Sequence, residues 1–139
     1  MPMQRSQSGY NPAYVVASLV MVGVLGVQFL SGMALNLYVT ISSNVGRMAQ
    51  MMDSGPLLMF HMMLGGILVV GALFVVVMAT PYGRWAIGCA AIALVGTLIA
   101  ALAGLTFFTS GQGNDASYIM AVGFACAVSG YVAEVYKHN

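Results

Sequence analysis

Only seven residues carry a formal charge, and their placement limits the fold more than any other feature of the chain. They are Arg5, Arg47, Asp53, Arg84, Asp115, Glu134 and Lys137, and they leave uncharged runs at 6–46, 54–83, 85–114 and 116–133. A helix of about 20 apolar residues crosses a hydrocarbon core of about 30 Å. The first three runs exceed that length. The fourth reaches it once the interfacial stretch 131–136 is added. The residues are 60% hydrophobic and 5% charged, against about 25% charged in a soluble domain. Most of the surface must therefore face lipid or other subunits. Backbone polar groups in lipid have to be paired internally, which leaves helices or a closed barrel. Long uncharged runs without period-2 alternation select helices.

The expected fold is an all-α integral membrane four-helix bundle with both termini on one side. A polar N-terminal segment at 1–12 precedes a transmembrane domain at 13–139, with helices at about 13–39, 56–80, 85–108 and 117–136. Pro56 suits a first helical turn, where its missing N–H costs nothing, and Pro81-Tyr82-Gly83-Arg84 reads as a tight turn. The side holding the termini and this turn carries Arg5, Arg84 and Lys137, whereas the other side carries only Arg47 among basic residues. The positive-inside rule then makes this a multi-pass cell-membrane protein with cytoplasmic termini.

Gly96, Ala100 and Gly104 form a small-residue stripe of the kind that lets membrane helices approach closely. Gly32, Gly65, Gly66, Gly123 and Gly130 could serve likewise. Such stripes pack a bundle or form the seam of a homo-oligomer. Cys89 and Cys126 fall at depths that differ by roughly 9 Å, which disfavours a disulfide.

His61 is the one ionisable residue expected within a span, about five residues into the second helix, which makes it the first functional candidate. Gln28, Gly32 and Asn36 recur every four residues and so share one face of the first helix. Ser31 lies one position off that stripe. Counting from the helix ends places Asn36 level with His61, so an interhelical hydrogen bond between them is the plainest expectation, with a backbone carbonyl as the other acceptor. A small-molecule contact, a quinone for example, is an alternative. So is haem b, which in a bundle takes two axial side chains from facing helices. With His138 at the end of the chain, the second ligand would be Met120, or Met33. Met48, Met51, Met52, Met59, Met62 and Met63 show no fixed spacing for copper and read as packing residues.

No Ser/His/Asp set, paired carboxylates, phosphate-cradling loop or zinc spacing supports catalysis, and no metal site is expected. The lack of a basic cluster excludes a nucleic-acid partner. Glu134 and Lys137, three residues apart, read as a solvated pair at the end of the fourth helix. With no carboxylate expected inside a span, a transporter is disfavoured.

The run Val27-Gln28-Phe29-Leu30-Ser31-Gly32-Met33-Ala34-Leu35-Asn36-Leu37-Tyr38-Val39 resembles the first-helix signature of a family of small uncharacterised prokaryotic four-helix membrane proteins. The His61 segment with Gly65, the end of the third helix from Ala103-Gly104 to Phe107, and the run from Ser117 to Phe124 are similar to it as well. This resemblance implies the fold and no particular activity. A more distant similarity is to one four-helix half of haem A synthase, where a Gln/Gly-rich helix precedes a helix that opens with His. That similarity implies haem near His61. This chain departs from it in having no histidine in the fourth helix and no acidic residue beside His61. The expected role is a non-catalytic structural or accessory subunit of a larger membrane complex, or a self-associating protein in the lipid bilayer. The alternative is a haem- or quinone-binding redox protein centred on His61.

Overall fold

The computed structural model describes residues 12–39, 55–110 and 113–137. Among them the chain forms α1 (Pro12–Tyr38), α2 (Gly55–Ala79), a single 3₁₀ turn (Thr80–Tyr82), α3 (Arg84–Ser110) and α4 (Asn114–Tyr136), with no strand. All four helices are long and apolar enough to cross a membrane. At 1.5 Å per residue, α1 and α3 are each about 40 Å long. This is the build of a multi-pass membrane protein.

The helix limits have local causes. Gly83 turns the chain between α2 and α3 at φ 89°, a conformation that a Cβ would strain. Helix α3 runs past Phe108 to Ser110, and Thr106 and Thr109 in this last stretch return their hydroxyls to carbonyls one turn back. Helix α4 begins at Asn114, three residues before the expected Ser117. There the Ser117 N–H and hydroxyl both reach back to the Gly113 carbonyl, and Asp115 sits in the positive first turn. The polar segment 1–11 and most of the first loop lie outside the described residues.

Neighbouring helices run antiparallel. Along the α3–α4 seam Gly96 faces Ala127, Ala100 faces Gly123, and Ala93 faces Gly130. A Cβ added at Gly96 would lie 2.6 Å from both the Ala127 nitrogen and the Gly123 oxygen. One added at Gly123 would lie 2.7 Å from the Ala100 nitrogen and the Gly96 oxygen. The backbones themselves are in contact, which glycine alone permits. On the other pair, Gly65 and Gly32 admit side chains rather than a backbone. Gly66 has nothing within 4 Å of the added Cβ and serves no seam.

The close-packed core fills the half of the bundle nearest the termini. It is built from Tyr14 and Met21 on α1, Leu68, Ala72 and Val75 on α2, Ala90 and Ala93 on α3, and Ala127 and Tyr131 on α4. Tyr14 stacks on Tyr82 of the turn, with ring centroids 5.0 Å apart, and Lys137 lies over the Trp85 ring. These contacts gather the start of α1, the end of α4 and the α2–α3 turn at one end. Leu30, Val70, Val77 and Leu102 are among many large side chains left exposed, as expected where the surrounding solvent is lipid. Both cysteines are free thiols.

Candidate functional site

The opposite half of the bundle opens into a cavity of about 380 Å³ between all four helices. The lining is mainly apolar all round. The α1–α2 wall presents Gln28, Asn36 and His61. The α3–α4 wall is mainly apolar, with Gly104, Phe107, Phe108, Met120 and Phe124. Thr97 and Ser117 also line it, but each hydroxyl is turned back to a carbonyl of its own helix. Phe29 stacks on Phe124 at 4.7 Å and bridges α1 to α4.

His61 is held by Gln28 and Ser31, not by Asn36. Gln28 Nε2 lies 3.1 Å from His61 Nε2, and Ser31 Oγ lies 2.8 Å from His61 Nδ1. Ser31 has a single hydroxyl proton, donated at 2.9 Å to the Gln28 carbonyl of its own helix. With all three bonds made at once, its oxygen accepts from the ring and the ring proton sits on Nδ1. Nε2 then offers its lone pair to the Gln28 amide N–H. The three bonds close on one another and select a single tautomer.

Helix register explains why Asn36 was the wrong partner. Helix α2 starts at Gly55 and α1 ends at Tyr38, so six residues inward from each end brings His61 level with Gly32. The imidazole lies directly over that glycine: a Cβ at residue 32 would sit 2.9 Å from His61 Cε1. Gly65 does the same for Gln28, whose Nε2 lies 3.2 Å from a Cβ added there. Asn36 is an exposed side chain at the loop end of the same cavity. Each glycine makes room for a polar side chain of the facing helix, and the pair sets the spacing of α1 and α2. Gly96, Ala100 and Gly104 divide their work: the first two belong to the backbone seam, whereas a Cβ added at Gly104 would meet only Met120 Sδ, at 3.6 Å.

The residues present do not fit axial haem ligation. Both ring nitrogens of His61 are committed to Gln28 and Ser31, and iron would have to displace one of them. Met120 lines the same cavity, yet its sulfur rests against Gly104. Among the described residues no group of three or more His, Cys, Asp or Glu side chains could hold a metal ion. What the cluster retains is one acceptor: Gln28 Oε1 is buried with no hydrogen-bond partner among the described residues. Buried polar atoms are paired in the great majority of cases, so an exception on a cavity wall marks a place where a ligand's donor could bind.

One buried polar pair escaped the sequence reading. Glu134 is not a solvated partner of Lys137. Its carboxyl is 1% exposed and accepts a 2.9 Å hydrogen bond from Ser18, which is fully buried on α1. The one available signal was the position of Ser18 on the face of α1 that also carries Tyr14, Met21 and Leu25.

No family model matches the chain, and no curated protein or solved structure matches it either.

Proposed function

We propose that this integral membrane protein binds a lipophilic molecule whose polar head donates a hydrogen bond. The observation that carries the reading is the cavity itself, apolar over most of its lining, with the hydrogen-bonded Gln28–His61 pair set into its α1–α2 side. Ligand sites are commonly apolar clefts of about 300–1,000 Å³ with a few placed polar groups, and bundles often hold them between helices. The unpaired Gln28 Oε1 favours a donor head. A quinol or an isoprenoid alcohol meets that requirement, whereas a quinone carbonyl offers only an acceptor. The His61–Ser31–Gln28 bonds fix the orientation of the amide, and the apolar body of the ligand would lie along α3 and α4. In this reading the chain needs no catalytic group of its own. It acts as an accessory protein that holds a lipid-soluble compound for a neighbouring membrane complex, or for further copies of itself.

Native mass spectrometry of the protein taken from its own membranes in mild detergent tests the proposal. The expected spectrum contains one added mass per chain, extractable into organic solvent and lost in His61→Ala. A bare mass for the wild-type protein, unchanged after incubation with a quinol or an isoprenoid alcohol, would count against it. Retention of a second polypeptide in place of a small molecule would favour the purely structural subunit.

A further inference from the structure

A second polar site lies in the tightly packed half, away from the cavity. Glu134 stands two residues before the end of α4 at Tyr136. It is 1% exposed, and Ser18 and Tyr131 beside it in this half are 0% exposed. Ser18 spends its only hydroxyl proton on Glu134 Oε2 at 2.9 Å. Glu134 Oε1 and the Tyr131 hydroxyl are both buried with no hydrogen-bond partner among the described residues. Residues 131 and 134 are three apart and so share one face of α4. Two buried oxygens on one face of α4, one of them from a carboxyl, are left without a partner among the described residues.

The charge of the carboxyl has no counterpart among the described residues. The titratable groups that the adjoining elements carry in this half are Tyr14 on α1, Tyr82 in the turn, Arg84 and Cys89 on α3, and Tyr131, Tyr136 and Lys137 on α4. Of the two cations, Arg84 is exposed, and the Lys137 amine lies 4.7 Å over the Trp85 ring. Glu134 forms no ion pair among the described residues. A buried carboxylate without a counter-charge is strongly disfavoured in a protein interior or a membrane. A cation taken up from solution would neutralise it.

We propose that Glu134, with Tyr131 and Ser18, forms a binding site for one small cation, either a proton or a bare monovalent metal ion. Oxygen ligands suit such hard cations, and all three side chains are almost fully shielded from solvent. The site bridges α1 and α4 at the end that carries both termini. A cation bound there ties the first helix to the last, and its loss leaves a buried charge at that junction.

Glu134 is the only glutamate in the chain, so glutamate labelled with ¹³C at its side-chain carboxyl reports on this site with no mutation. The measurement is the ¹³C resonance of the protein in lipid nanodiscs, followed against pH and against sodium at fixed pH and ionic strength. A protonated carboxyl at neutral pH, indifferent to sodium, assigns the site to a proton. A resonance that shifts and saturates with sodium, and not with choline, assigns it to a metal ion. A carboxylate resonance at neutral pH that sodium leaves unchanged, as for a solvated side chain, overturns the proposal.

Discussion

Gly96→Leu should destabilise the bundle by about 3 kcal/mol or more, the upper range for overpacking. Even a single Cβ at this position would lie 2.6 Å from two backbone atoms of α4. A flexible side chain can rotate away from such a contact, but a helix backbone cannot. The two helices would have to separate along the whole seam, including the pairs at Ala100–Gly123 and Ala93–Gly130. Gly123→Leu should behave the same way from the other side. The measurement is unfolding by a denaturing detergent in mixed micelles, followed by circular dichroism. An unchanged midpoint would mean that α3 and α4 do not meet at this stripe.

Gly104→Leu, two turns further along the same stripe, should do the opposite. A Cβ there meets only Met120 Sδ at 3.6 Å, ordinary van der Waals distance, and the remainder of the side chain projects toward the cavity. Stability should change by less than about 1 kcal/mol, because filling empty space offsets small adjustments of neighbours. Ligand retention should fall at least tenfold, equivalent to about 1.4 kcal/mol, because the leucine takes up volume on the wall that receives the apolar body. Full retention of a ligand by Gly104→Leu would place binding elsewhere. The pair of variants separates the structural use of small residues from their use in shaping a cavity.

The fold was legible because charge in this chain is punctuation. A single Arg or Asp inside a lipid-facing segment is costly, so the gaps between charges marked the helices and the turns. The stripe of Gln28, Gly32 and Asn36 was legible too, since spacing by four defines a face without reference to a partner. Register was not. Whether His61 meets residue 28, 32 or 36 depends on one or two residues at the ends of α1 and α2, where sequence signals are weakest. Glu134 was misread for a different reason. Helix α4 is apolar on every side, so no polar face tells which way residue 134 points, and the lysine three residues on supplied an ordinary explanation. Rotation about the helix axis turned the carboxyl toward Ser18 and sent Lys137 to Trp85. The cavity has no sequence signature at all. It lies between side chains of all four helices that no spacing in the sequence brings together.

The account depends on four helices that each cross the bilayer, with the chain ends and the 80–83 turn on one side. Thiol accessibility in sealed, uniformly oriented vesicles tests this most directly. In a background of Cys89→Ala and Cys126→Ala, the single variants Arg84→Cys, Asp115→Cys and Tyr136→Cys each place a thiol at an exposed helix end. A membrane-impermeant reagent should reach positions 84 and 136 from the same side and position 115 only from the other. Labelling of all three from one side would contradict it.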